Sequence, residues 1–329
     1  MPFTLSTFSV FTACGALSAI VCLFLLRKKT TVTVETAEWA SLLSLPLGAF
    51  FGHFLYALLQ ANMELPMWGI GFLFAPWMGG FMFYGVAAGA LAAAFLASRI
   101  TGGKSEWPAA VDLISVALLL LITVIRVAEP FDNSDGIVQG NGIGLDEFTL
   151  IPSQYASLLC FQPYSDYPEG WYLAVFAFEA LWAFICFILS AKRLTVLKQG
   201  YTSLFALTLY ASGTLFFEFI RGDFTVRWRF VRLSQLISAI ALAALLICVI
   251  ISAGKKLSKA RIVRCSVAFA LCICAIIAVE FGDEKPLILS SELKIFFPHW
   301  FTYGILAVVS VIAGIIPWRL LRTTTDIYK

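Results

Sequence analysis

Nine stretches of this chain are apolar for long enough to cross a bilayer, and no other feature limits its possible folds so sharply. They run at about 7–26, 39–60, 78–98, 109–128, 170–191, 203–220, 231–253, 262–281 and 299–317. Inside hydrocarbon every backbone amide must find its partner within the segment, so each run is expected to be a helix. A content of 60% hydrophobic and 13% charged residues excludes an ordinary soluble domain. The net charge of +3 is too small to imply a nucleic-acid partner. The expected fold is therefore an all-α polytopic membrane protein with about nine transmembrane helices. Spans 2 and 3 are the weakest in apolar character, and their Gly48, Gly52, Gly85 and Gly89 suit close helix packing.

Cations fix the orientation. Arg27, Lys28 and Lys29 follow span 1; Arg99 and Lys104 follow span 3; Lys192, Arg193 and Lys198 follow span 5. Lys255, Lys256, Lys259, Arg261 and Arg264 follow span 7, and Arg319, Arg322 and Lys329 follow span 9. Every second connection is basic, which puts the N-terminus outside and the C-terminus in the cytoplasm. The longest opposite loop, 129–169, carries Glu129, Asp132, Asp135, Asp146, Glu147, Asp166 and Glu169 without a Lys or Arg. Its Gly136, Gly140, Gly142 and Gly144 suit a lid or a solvated loop; an EF-hand spacing is absent. The first span has its cations on the wrong side for a secretory signal and reads as a retained helix. Of the eight cysteines only Cys160 lies in an outer loop, so neither disulfide, metal nor cofactor is expected.

An ionisable side chain costs on the order of 2.5–3.5 kcal/mol at mid-bilayer unless it is paired or binds something charged. Such groups gather here at one depth. His53, Tyr56 and Gln60 share a face in the outer half of span 2, and Gly79, Gly80 and Tyr84 begin span 3. Arg126 and Glu129 close span 4, Glu179 lies in span 5, Glu218 and Arg221 end span 6, and Gln235 and Ser238 open span 7. Simple neutralisation of Arg126 by Glu129 and of Arg221 by Glu218 is one reading. Convergence of all of them at the outer level favours a cavity for an anionic head group. The additional Arg227, Trp228, Arg229 and Arg232 fit an interface facing anionic lipid.

The segment Tyr210-Ala-Ser-Gly-Thr-Leu-Phe-Phe-Glu218-Phe-Ile-Arg221-Gly-Asp223, with Arg232-Leu-Ser-Gln235-Leu-Ile-Ser238, resembles the late signature of the prolipoprotein diacylglyceryl transferase family. Gly79-Gly80-Phe81-Met82-Phe83-Tyr84-Gly85 is similar to that family's Gly-Gly-x-x-x-His-Gly. Phe178-Glu179, Gly52-His53-Phe54-Leu55-Tyr56 and Arg126 resemble further motifs in the same order. The resemblance spans about residues 5–255, leaving spans 8 and 9 as an appendage. Tyr84 stands where the family has His, Glu129 where it has Asn, Phe11 where a Tyr is expected, and the Leu-Ser-Gln spacing is two residues shorter.

The resemblance implies a core at 1–255, with outer loop 129–169, and a two-helix appendage at 256–329. It implies transfer of diacylglyceryl from phosphatidylglycerol to a lipobox cysteine thiol at the outer face of a bacterial plasma membrane, with prolipoprotein signal peptides as partners. Arg126 and Arg221 would hold the phosphate, with Glu218, Glu179, Gly80, Gly85 and Gln235 lining the phosphatidylglycerol site. Tyr84, His53 and Glu129 are the candidate catalytic groups for taking the thiol proton; imidazole has the most suitable intrinsic acidity of the three. The alternatives are a non-catalytic relative that binds anionic phospholipid or lipoprotein, and a transporter. For a transporter, the charged groups apart from Glu179 lie at the rim, and no inverted repeat is evident.

Overall fold

The computed structural model describes residues 6–60, 68–103, 105–131, 140, 142, 160–161, 172–222, 227–228, 231–253, 257–284 and 299–324. Among them are nine helices long and apolar enough to span a membrane. They are α1 (Thr7–Arg27), α2 (Val34–Leu59), α3 (Phe83–Ile100), α4 (Trp107–Ala128) and α5 (Val175–Arg193). α6 (Tyr201–Ile220), α7 (Leu233–Ala253), α8 (Lys259–Glu284) and α9 (His299–Thr324) complete the set. The polytopic all-helical fold is thus the one the apolar runs require. Two antiparallel ribbons of two residues per strand accompany it: β1 (Cys160–Phe161) with β2 (Tyr172–Leu173), and β3 (Arg227–Trp228) with β4 (Val231–Arg232).

Span 3 departs from its expected boundary at the start, beginning at Phe83 rather than near residue 78. Two 3₁₀ turns, η1 (Ile70–Phe74) and η2 (Pro76–Met78), precede it. Gly79 and Gly80 then adopt φ of +85° and +75°, left-handed values that a right-handed helix cannot contain. Elsewhere α2 begins five residues earlier and α5 five residues later than expected, α9 runs seven residues further, and the remaining ends differ by at most three residues.

The chain divides into two compact units. One comprises residues 12–124, 183–206 and 327–329. Its tightest contact is α2 on α3. A Cβ placed on Gly85 would lie 2.3 Å from the Phe51 carbonyl oxygen, and one on Gly89 2.3 Å from that of Leu47. The two backbones therefore touch, as small residues permit where lipid offers no hydrophobic drive to association. Small residues continue that packing inward through Ala90, Ala94 and Ala97, which join Leu113, Val116 and Leu118 of α4 in a buried core.

At the inner end of this unit, buried Asp112 of α4 accepts hydrogen bonds from the backbone N–H groups of Gly200 and Ser203, both at 2.7 Å. A carboxylate from one span thus caps the N-terminus of α6, where four backbone donors lack intrahelical partners.

The other unit comprises residues 1–11, 125–182 and 207–326. Here α7, α8 and α9 pack together, and α9 also reaches α6. A Cβ on Gly314 would stand 2.7 Å from that of Ser212, and buried Tyr303 meets Phe219 edge-on with ring centroids 5.7 Å apart. Gly213 accepts the Trp182 indole against its Cα, bringing α5 onto α6.

Candidate functional site

Within the second unit, three spans, α4, α5 and α6, bring four charges together. Arg126 and Glu129 are one helical turn apart, α4 passing into the short 3₁₀ turn η3 (Glu129–Phe131) between them, and Arg126 Nη1 donates to Glu129 Oε1. Glu179, in the second turn of α5, offers Oε2 to both guanidinium groups, 3.3 Å from Arg126 Nη1 and 2.7 Å from Arg221 Nη1. Arg221, just past the end of α6, lies 3.3 Å from Glu129 Oε2. Two arginines and two carboxylates form one network, with side-chain exposures of 12% and 3% for the arginines and 13% and 6% for Glu129 and Glu179. The net charge of the quartet as paired is zero, which is how four ionisable groups can be buried together.

Backbone elements close around the quartet. Gly140, at φ +81°, places its Cα where a Cβ would be 3.0 Å from Glu129 Oε2. Its carbonyl accepts from Phe176 N–H at 3.0 Å, and Gly142 N–H donates to the Leu173 carbonyl at 2.8 Å. Gly142 also bridges to Arg221 through the backbone. A side chain at Gly142 would meet Val175 at 2.4 Å. Arg232, ending β4, donates through Nη2 to the Arg221 carbonyl and so ties the start of α7 to the end of α6.

On adjoining turns two buried acceptors are unused. Glu218 is 2% exposed, and its Oε2 has no hydrogen-bond partner among the described residues. Gln235, 1% exposed, donates Nε2 to the Leu215 carbonyl at 3.0 Å, one turn before Glu218, while its Oε1 is likewise unpartnered. A buried acceptor without a donor costs about 1–3 kcal/mol, so both positions are suited to a ligand that brings hydroxyl or amide hydrogens.

A family model described as prolipoprotein diacylglyceryl transferase matches residues 1–251. The chain belongs to the prolipoprotein diacylglyceryl transferase family. A search of curated proteins returns no match. Membership gives the charged network a chemical setting: family members act on lipid and lipoprotein substrates in a membrane, and this chain has the multi-pass architecture for that work. The matched region ends within α7, leaving α8 and α9 outside it.

The residues singled out from the sequence fall into two groups. Arg126, Glu129, Glu179 and Arg221 form the network of the second unit, with Glu218 and Gln235 on the adjoining turns. Arg221 pairs with Glu179 and Glu129 across helices. The first unit holds the others. His53 is fully buried, its Nδ1 2.8 Å from the Gly79 carbonyl oxygen and its Nε2 2.7 Å from that of Phe72. Tyr56 lays its ring on Gly80, where a Cβ would fall 2.2 Å from Tyr56 Cε1. Gly85 lies in the α2–α3 contact, and Tyr84, half-buried beside it, packs edge-on to Phe83.

Gly140 and Gly142, read from the sequence as glycines of a lid or a solvated loop, pack against the network itself. Asp112 was missed, although an aspartate inside an apolar run always demands a partner. The acidic residues of loop 129–169 other than Glu129, together with Arg229 and the side chains of Arg227 and Trp228, lie outside the described residues.

Proposed function

We propose that the Arg126–Glu129–Glu179–Arg221 network holds the phosphodiester of phosphatidylglycerol during diacylglyceryl transfer to a lipobox cysteine in a bacterial plasma membrane. The observation that supports this most is the sharing of one carboxylate oxygen of Glu179 by two buried guanidinium groups. An incoming phosphate offers those guanidiniums charge-assisted hydrogen bonds of the same kind. Glu129 is the carboxylate such a phosphate would displace, because it lies closest to the less buried arginine.

In the reaction the thiol sulfur attacks the glyceryl carbon, an S–C bond forms, the C–O bond to phosphate breaks, and glycerol phosphate leaves. Negative charge grows on the departing phosphate, where Arg126 and Arg221 oppose it; one fixed donor at such a position is typically worth 10²–10³ in rate. The thiol proton goes to Glu129 once the lipid has freed it. His53 serves poorly for that step because both ring nitrogens already face carbonyls, and the phenol of Tyr84 is a weak acceptor near neutral pH.

The oxygens of Glu218 and Gln235 that lack a partner among the described residues support phosphatidylglycerol over phosphatidic acid. Its head group carries two free hydroxyls, whereas phosphatidic acid has none beyond the phosphate. The test is competitive binding to purified protein in nanodiscs. Phosphatidylglycerol should outcompete phosphatidic acid, and Gln235→Leu should erase the preference while Arg221→Ala removes both. Equal binding of the two lipids by the unsubstituted protein would refute head-group recognition.

One observation favours a second reading. Tyr84 stands at the family's histidine position, as it would in a relative that binds lipid without transferring it. Arg221-dependent binding without turnover would identify that case.

A further inference from the structure

Residues 68–81 form neither a span nor an ordinary loop. They join α2 to α3, two helices whose other ends carry the basic, cytoplasmic signature. No charged residue occurs from Leu65 to Ser98. Yet this stretch turns its large side chains away from the protein: Trp77 is 81% exposed, Ile70 72%, Trp68 55%, Phe74 54%, Phe81 52% and Met78 44%. In water such a patch would be an aggregation liability.

The backbone tells the complementary story. Phe72 N–H donates to Gly69 O, Ala75 N–H to Phe72 O, Met78 N–H to Ala75 O and Gly79 N–H to Pro76 O. Met82 N–H donates to Gly52 O in α2. From below, the buried His53 ring reaches both arms of the segment, Phe72 through Nε2 and Gly79 through Nδ1, and a Gly80 oxygen lies 3.2 Å from the same Nδ1. Phe72 itself is buried against that ring, with centroids 5.0 Å apart. Backbone polar groups paired within the segment or to α2, with large apolar side chains turned outward, are what a non-helical segment needs beside lipid, where unsatisfied amides are costly. Tryptophan favours the level of the head groups.

We infer that residues 68–81 are a lipid-embedded blade, seated in the interfacial layer of the outer leaflet and held in shape by His53. Its occupant is bilayer lipid rather than a protein partner, because the segment runs through Met82 straight into α3 and offers no charge for a partner to read. His53 is on this view a positioning residue of the blade. The inference is independent of the transfer reaction and stands whether or not the protein turns over.

The test uses the fluorescence of Trp77, isolated as the difference between the unsubstituted protein and Trp77→Phe in phosphatidylcholine nanodiscs. Lipids brominated high on the acyl chain should quench that component, and aqueous iodide should leave it nearly untouched. In His53→Ala the same component, again taken against its Trp77→Phe counterpart, should gain iodide sensitivity severalfold as the carbonyls lose their anchor. Quenching of the unsubstituted protein by iodide would place the segment in water and overturn the inference. Quenching by neither agent would mean that protein covers it, which overturns it equally. An unchanged profile in His53→Ala would remove His53 from the account of what holds the blade.

Discussion

Replacing Arg221 by methionine separates what the charged network does for the fold from what it does for lipid. The Arg221–Glu179 contact of 2.7 Å corresponds to about 6 kcal/mol of Coulomb attraction at an effective dielectric near 20. Most of that offsets the several kcal/mol each ion loses on leaving water. Removing one partner strands the other: Glu129 and Glu179 would face Arg126 alone, one negative charge in excess. The expected loss of stability is about 3 kcal/mol, the low end of the 3–5 kcal/mol range for broken buried pairs, because Arg126 stays 3.3 Å from Glu179.

Adding Glu179→Gln restores neutrality through the surviving Arg126–Glu129 pair and should recover all but about 1 kcal/mol. Unfolding by dodecyl sulfate in mixed micelles, followed by circular dichroism, reads all four corners of this cycle. Phosphatidylglycerol binding should be lost in Arg221→Met and stay lost in the double variant. A double variant that regains binding with stability would show that Arg221 only balances charge, and the reasoning would fail.

Further outcomes follow from other contacts. Asp112→Asn should cost about 1–2 kcal/mol by weakening the cap on α6, seen as a lower unfolding midpoint with head-group preference unchanged. Gly85→Ala forces a methyl into the Phe51 carbonyl and should destabilise by about 1–3 kcal/mol, whereas Gly71→Ala, with open space around it, should not. Gly142→Ala should depress lipid binding through displacement of Val175 and the Arg221 backbone, measured beside Arg221→Ala as a reference. Tyr303→Ala should cost more than the roughly 0.5–1.5 kcal/mol of its edge-on contact with Phe219, because a buried ring is also removed, and a thermal melt that does not move would refute that packing.

The spans were legible because hydrocarbon imposes a length and a composition that run-counting detects directly. Span 3 was placed about five residues early because its preceding Trp, Phe and Met residues are as apolar as a helix. Only the left-handed Gly79 and Gly80, and Pro76, distinguish them, and those act through backbone conformation, not hydropathy. The pairing of Arg126 with Glu129 was visible as an i,i+3 spacing. Arg221 was less tractable: Glu218 is its natural partner within α6, yet its observed pairs come from α4–η3 and α5, joined by contacts that no periodicity encodes. His53 illustrates the same limit. Its residue type suggested proton chemistry, while its surroundings, two sets of carbonyl oxygens, are contributed by a segment about 20 residues away.

The most direct test of transfer is to follow the two products together. Purified protein in nanodiscs containing doubly labelled phosphatidylglycerol is incubated with a lipobox peptide, and thioether-linked diacylglyceryl and free glycerol phosphate are both quantified. The account requires their appearance in equal amounts, abolished by Arg221→Ala and by replacing the lipobox cysteine with serine. Glycerol phosphate release without thioether formation, or no release from protein that still binds phosphatidylglycerol through Arg221, would contradict it.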